Sequence, residues 1–528
     1  MTIAPWAFLC AALTVRKPCT TRRRGWAVPA LALSLYSAGC CAAAGLELMV
    51  APTGAAYTTI QAALDAARGG DTVTVHAGTY PERLAFAHGG DATNGRLVLR
   101  ALPGAAVYVS GRNQSSSMAP HLISIYENSY ISICGLRICS NLATSANGGS
   151  GIFIEGACAA ISLCSNELYW LRGTHGMGIT VYGTQALPCT NIQIIGNIIR
   201  DSEPATSEAL TLNGNVCGFQ VIGNLISNVN NIGICMIGGE TDIHPALGAR
   251  HGTCCNNKVM QARSNYGGGY AAGMYVDGGQ NIVMAGNYVS GSDLGMEIGA
   301  ENPGWCASNI VAHSNLLVLN DKIGLGLGGY AAERGRVNHC RVLNNTLFCN
   351  NALGLGSSAF HGEIVVQFGD GNVWKNNLVI VSPATDRRAL LDAAESGNVN
   401  SVMDDNLYYC SAGQPRFDWR GVVYTTFASY TNAPAGGEQH SLNENPAVVN
   451  LVLPDLHLTA ASVAIARGDP TVGFPPDARD FDGNPRVSGG QLDIGALAYV
   501  PEPAWLSVAV ALLASLRALT RHRQMCYH

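Results

Sequence analysis

"IIGNIIRDSEPATSEALTLNGNVCGFQVIGNLI", from Ile194 to Ile226, contains one pattern twice: an Asn after a Gly and before an apolar pair, at Asn197 and Asn224. The signature continues on both sides, as SNEL at Asn166, NNKV at Asn257, GNYV at Asn287 and SNLL at Asn315. It runs on through NNTL at Asn345, NNLV at Asn377 and DNLY at Asn406, always at intervals of 27 to 33 residues. A second motif keeps step with it: GIFIEG, GITVYG, ALTLNG, GICMIG, GMYVDG, GMEIGA, GLGLGG. Similarity at a fixed period of this length means stacked units. Apolar residues within each unit alternate with period two, and no face repeats at i, i+3, i+4. The spacing therefore predicts an all-β chain, a right-handed parallel β-helix wound as a single-stranded solenoid. Each coil adds one strand to each of three sheets, about 4.8 Å from the last. Asn at the same corner of successive coils stacks into an amide ladder, so these residues read as structural.

Composition agrees. Of 528 residues, 48% are hydrophobic and 13% charged, with 62 Gly, which excludes a disordered chain. Lys is confined to Lys17, Lys258, Lys322 and Lys375. Residues 45–500 hold 23 Lys+Arg against 35 Asp+Glu, a net charge of −12, and so an acidic body that argues against nucleic acid as a partner. Thirteen of the 18 Cys lie in this body without a CxxC pair or zinc spacing. Cys134, Cys139, Cys158, Cys164, Cys235 and Cys340 fall in strand-like runs and read as small buried apolar residues. The adjacent Cys254 and Cys255 would each need a different disulfide partner.

Both ends read as addresses. "TRRRGWAVPALALSLYSAGCCAAAG" has a basic start, an apolar run and an Ala42-x-Ala44 site, the form of a secretory signal over residues 1–44. "VPEPAWLSVAVALLASLRALTRHR" sets Pro501-Glu502-Pro503 before an apolar run and Arg517, Arg521 and Arg523. It resembles a PEP-CTERM sorting tail over residues 501–528. That resemblance implies export, a transient membrane anchor and sorting machinery at the surface of a Gram-negative cell, with residues 45–500 as one extracellular domain.

The open ends of a solenoid need caps. "YTTIQAALDAARGGDTVTVHAGTYPE" supplies one: Thr58 and Gln61 form a capping-box pattern, and Ile60, Ala63, Leu64 and Ala67 make an apolar helix face. This segment resembles the entrance of pectate-lyase-like β-helix proteins, and "LHLTAASVAIARGDP" with "DFDGNPRVSGGQLDIGALAY" resembles their closing segment. The resemblance covers roughly residues 50–498 and implies the fold; the superfamily holds lyases, glycosidases, tailspikes and adhesins.

Aligning the short motif sets a register. Met274, Val276, Met296 and Ile298 point inward, so Tyr275, Asp277 and Glu297 point out. Asp277 and Glu297 then lie on neighbouring coils, offset by two residues, with carboxyl groups expected within about 5–9 Å, the range of glycosidase pairs. Gly299, Gly326 and Gly328 are expected to leave the floor beside them bare. Loops that follow the strands bring Glu240, Glu301, Trp305, Tyr330 and Arg334 to one wall of a cleft, where aromatic and Arg side chains suit saccharides.

Three readings follow. In the first, Asp277 and Glu297 are the catalytic pair of a glycoside hydrolase, with Tyr275, Glu240, Trp305, Tyr330 and Arg334 binding a polysaccharide. In the second, implied by the pectate-lyase-like resemblance, Asp277, Glu297 and Glu301 hold Ca²⁺ for a polysaccharide lyase, with Lys322, Lys258, Arg250 or Arg334 as base. In the third, the chain is a non-enzymatic matrix scaffold. A monomer is expected, and no nucleotide or cofactor motif is present.

Overall fold

The computed structural model describes residues 45–112, 120–142, 149–173, 176–204, 206–265, 268–383, 386–433, 437–474 and 477–501. Residues 1–44, read from sequence as a secretory signal, and nearly all of residues 501–528, read as a sorting tail, lie outside them. Among the described residues no helix is long and apolar enough to cross a membrane.

Among the described residues three large sheets, two of thirteen strands and one of seventeen, wrap an apolar interior as a right-handed parallel β-helix, parallel throughout except for the terminal strand Val422–Tyr424. Registers are regular from coil to coil. Ile192 pairs with Phe219, Ile198 with Leu225 and Leu210 with Ile234, so identical alternation places every inward Ile, Val, Leu or Met on the same side. The stacked interior runs from Leu48 to Tyr430 with most members fully buried.

The Asn ladder forms as the spacing predicts. Asn197 Nδ2 donates to Leu163 O at 2.9 Å and to Asn224 Oδ1 at 3.1 Å, and the same pair of bonds repeats through Asn257, Asn287, Asn315, Asn345 and Asn377 to Asn406. Each amide satisfies a corner carbonyl that the turn would otherwise strand in the interior. The ladder ends on a carboxyl group: Asn406 Nδ2 donates to Glu438 Oε2 at 3.2 Å, and the hydroxyl of Tyr408 to Glu438 Oε1 at 2.7 Å.

The N-terminal cap is the helix Ile60–Ala66, with Ile60, Ala63 and Leu64 buried. Its capping differs from the sequence pattern. Thr59, not Thr58, is the N-cap, and the carboxylate of Glu82 accepts the N–H groups of Ile60 and Gln61 at 2.9 Å each. Gln61 is occupied elsewhere: its amide clamps both the N–H and the C=O of Ala85 on the first edge strand. A distant carboxylate thus replaces the local box, and Gln61 is released to blunt the sheet edge.

The C-terminal end also differs. Tyr430, from the short helix Phe427–Thr431, stacks on Phe417 of the last coil with ring centroids 4.5 Å apart. The segment read as the closing piece instead runs back along the side of the solenoid. Leu456, Leu458, Ile494 and Ala496 pack on Leu316, Phe348, Leu378, Ile380 and Leu407, covering the outer face of four successive coils.

Cys134 and Cys164 correct the reading of strand cysteines as buried apolar residues. They are register partners on the outer side of adjacent coils and form a disulfide. Strand pairing holds their Cα atoms 4.8 Å apart, within bridging reach. Cys254 is buried and Cys255 half-buried, both as free thiols.

Candidate active site

Four neighbouring strands of one thirteen-stranded sheet make the site's floor: Leu210–Gly214, Ile234–Ile237, Ala272–Asp277 and Leu294–Gly299. Met274 and Val276 enter the core, which turns Tyr275 and Asp277 outward. Tyr275 pairs with Cys235 on one side and Glu297 on the other, and Asp277 pairs with Gly299. Asp277 and Glu297 are therefore diagonal neighbours on adjacent coils, about 7–8 Å apart at Cβ. The outer face here is not a wet sheet surface. Cys235, Ile237, Ala272, Tyr275 and Leu294 form an apolar cluster of their own, so the acids stand on a dry floor.

A cavity of about 320 Å³ opens on this floor, and Glu208, Glu240, Asp277 and Glu301 line it together with Tyr270 and Tyr275. Two bonds organise the exit side: Glu301 N donates to Asp277 Oδ1 at 2.8 Å, and the hydroxyl of Tyr275 donates to Glu301 Oε1 at 3.3 Å. On the preceding coils, Asn213 Nδ2 donates to Glu240 Oε2 at 2.6 Å, fixing a loop carboxylate from a strand.

Glu297 stands apart from this group. Tyr275 occupies the rung between the cavity and Glu297, and its ring leans across Gly299, where an added Cβ would lie 3.0 Å from the tyrosine oxygen. The bare glycine floor is accordingly smaller than expected. Tyr275 fills the space over Gly299, Gln367 crowds Gly328, and Gly326 alone of the three has open space above it.

The electrostatics are one-sided. Burial, and then the charge of Glu301, raise the Asp277 carboxyl well above its usual range. Burial raises Glu208 to about 8, with Glu240 the next cause, and burial raises Glu297 to about 8, with Glu301 the next cause. No basic group is among the leading causes for any of the three. Desolvation and like charge both favour the protonated form of each, and at about 8 Glu208 and Glu297 are largely protonated at neutral pH.

Glu208 and Tyr270 were missed because the sequence reading drew the cleft wall from loops that follow strands. The entry sides contribute as well, through Thr206, Glu208, Asn231, Ile232, Ser264 and Tyr270. Glu208 lies two residues ahead of Leu210, whose register the Asn ladder had already set, and extending the column to that corner would have found it. Three other expected contacts fall elsewhere. Trp305 Nε1 donates to Gly278 O at 2.8 Å, and its ring wedges against Gly238, Gly239 and Gly278, the last at φ 73°, so the indole braces the loop. Tyr330 and Arg334 stack on one another at 5.2 Å in the loop one coil beyond and line neither this cavity nor its neighbour.

The residues fit calcium poorly. Among the described residues only Asp404, Asp405 and His440 bring three ligand atoms within 4.8 Å of one another, and there Lys375 Nζ, 3.0 Å from Asp405, already supplies positive charge. Asp277, Glu297 and Glu301 do not converge in this way, since Tyr275 intervenes. The bases a lyase needs are also committed: Lys322 Nζ donates to the carbonyls of Gly268 and Gly269 and sits over Tyr270, and Arg250 binds Gly248 O and Asn215 Oδ1. Lys258 lies over Tyr288 on another sheet.

No family model matches the chain. Among solved structures it is similar to XylC in complex with xylose, at 11% identity and TM-score 0.46 over 87% of this chain and 99% of that one. It is similar to the GH136 lacto-N-biosidase from Eubacterium ramulus at 10% identity and TM-score 0.44, over 70% and 64% of the two chains. It is also similar to a rhamnogalacturonan lyase at 12% identity and TM-score 0.41, over 61% and 84%. No residue role is carried over from any of them. Among proteins known by sequence, the uncharacterized protein YwoF of Bacillus subtilis (strain 168) is 31% identical over 398 residues, covering 72% of this chain and 82% of YwoF. With that identity over that share of its length, the chain belongs to the same family as YwoF.

Proposed function

We propose that this protein hydrolyses glycosidic bonds in a polysaccharide, with Asp277 as proton donor and Glu240 as the base that activates water. The observation that carries this reading is the cavity itself: a buried carboxyl group whose pKa burial raises and an exposed one oriented by Asn213 share a small site whose described lining holds no Lys or Arg. Asp277 gives its proton to the glycosidic oxygen as the bond to the anomeric carbon breaks. Glu240, held by Asn213, takes a proton from the water that attacks that carbon. Glu208, raised to about 8 by burial and then by Glu240, keeps its proton at neutral pH and offers a donor to a sugar hydroxyl. Glu297, behind Tyr275, is raised to about 8 by burial and adds its charge to the field on Asp277 only as it ionises toward that pH. Secretion and surface sorting through the two ends complete the proposal and place the substrate outside the cell.

The test is digestion of neutral and uronate polysaccharides, with and without chelator, reading reducing ends and the ultraviolet absorbance of unsaturated ends. Reducing ends alone, insensitive to chelator and lowered about 10²- to 10⁴-fold in Asp277→Asn and Glu240→Gln, support hydrolysis. Chelator-sensitive unsaturated ends would replace it with the lyase. A folded protein that cleaves nothing but binds the polymers would make it a scaffold.

A further inference from the structure

A second cavity, of about 600 Å³, lies on the same sheet toward the N-terminal coils and meets the first at Glu240. Its wall is aromatic and built. Phe153 and Tyr182 stand on neighbouring strands with ring centroids 5.6 Å apart, edge to face. His121 lies flat on Phe153, centroids 3.9 Å apart at 7°, and its Nδ1 accepts the Ser150 N–H at 3.0 Å, so the imidazole is held in that plane. From Tyr182 the register runs through Asn213 and Ile237 to the coil of Asp277. Those three rungs span roughly 14 Å at the usual sheet spacing, further than one sugar ring reaches.

The charge of the wall narrows the ligand. The described residues lining the two cavities include Glu208, Glu240, Asp242, Asp277 and Glu301 and no Lys or Arg. The nearest cations lie behind the wall and are held by backbone carbonyls, Arg83 by Pro120 and His121 and Lys322 by Gly268 and Gly269. A uronate chain, with one negative charge per ring, would meet a lining whose charged side chains are all acidic, whereas an uncharged ring meets aromatic faces and hydrogen-bonding groups.

We infer that the His121–Phe153–Tyr182 cavity is a distal subsite for an uncharged glycan chain, which lies along the solenoid axis and spans several rings to reach Asp277. The inference rests on the glycosidic reading of the carboxylate cavity. It adds a substrate class, a minimum length and a binding platform.

The experiment is calorimetric titration of the full chain carrying Asp277→Asn, which stops turnover. The probes are neutral gluco-, xylo-, manno- and N-acetylglucosamine oligomers of two and six rings, with oligogalacturonates of the same lengths. At least one neutral hexamer is expected to bind more than about 10-fold tighter than its dimer, and Phe153→Leu to remove about 5- to 10-fold of that gain while sparing the dimer. His121→Gln, on the loop side of the stack, should act in the same direction and guards against a folding defect at Phe153. Galacturonate hexamers binding better than neutral ones, a length gain untouched by both substitutions, or no binding across the panel would each overturn the inference. Phe153-dependent hexamer binding without cleavage by the unsubstituted chain would keep the subsite and refute hydrolysis. Cleavage whose length dependence ignores Phe153 would do the reverse.

Discussion

Asp277 Oδ1 accepts the backbone N–H of Glu301 at 2.8 Å, although 24 residues separate the two and the Glu301 carboxyl itself raises the Asp277 pKa. The loop therefore acts on Asp277 twice and in opposite senses. Its amide favours the ionised form, and its side chain favours the protonated form.

Glu301→Gln separates the two effects. The amide bond remains and the like charge goes, so the Asp277 pKa falls. If protonated Asp277 is the acid, the alkaline limb of the pH–rate profile moves to lower pH while the rate at acid pH is retained. A rate profile on a soluble oligosaccharide checks this, and an unmoved limb would remove Asp277 from the donor role.

Stability should fall as pH rises. Glu208 and Glu297 each have an ordinary value of 4.5 and are raised to about 8 in the folded protein. Between those values the folded chain holds protons that the unfolded chain has released, so the stabilisation present below pH 4.5 is lost progressively up to about pH 8. Glu208→Gln and Glu297→Gln should flatten that decline and raise Tm at pH 8 by a few degrees, measured by thermal melts across the pH range.

The Asn ladder should be costly to interrupt. Asn315 is fully buried, donates to Met284 O and Asn345 Oδ1, and accepts from Asn287. Asn315→Ala leaves those groups without partners in a dry interior, at about 1–3 kcal/mol or more. Denaturant unfolding should show a lowered midpoint. The same substitution at the half-buried Asn443, beyond the ladder's end and bonded through its amide to the Gln414 side chain, is expected to cost no more than about 1 kcal/mol.

Two glycines on one sheet should behave differently. Gly326 has nothing within 4 Å of an added Cβ, so Gly326→Ala should leave stability and activity near those of the parent. Gly299→Ala would press on the Tyr275 ring, with contacts of 3.0 and 3.1 Å, and loosen the tyrosine hydroxyl from Glu301. A drop in activity of about tenfold with a small loss of Tm is expected. Equal behaviour of the two variants would show that Tyr275 does not position the site.

What was legible from sequence follows the periodic signal. The Asn spacing carried the coil, and the alternation in GMYVDG and GMEIGA carried the rung pairing of Tyr275 with Glu297, because strand side chains alternate strictly and a one-residue slip would bury the acids. The cap was legible as a helix, yet its N-terminal partner was not, since Glu82 lies 22 residues from Ile60.

Sequence by itself determined the solenoid, its ladder and which side chains face outward, because those depend on a local period repeated coil after coil. Tertiary structure alone decided which of the outward acids share a cavity. That choice rests on the lean of the Tyr275 ring over Gly299, the approach of Glu208 from an entry corner, and the reach of Asn213 to Glu240. Loops of irregular length carry no period, and the contacts they make are set by packing across coils some 27 to 33 residues apart in the chain.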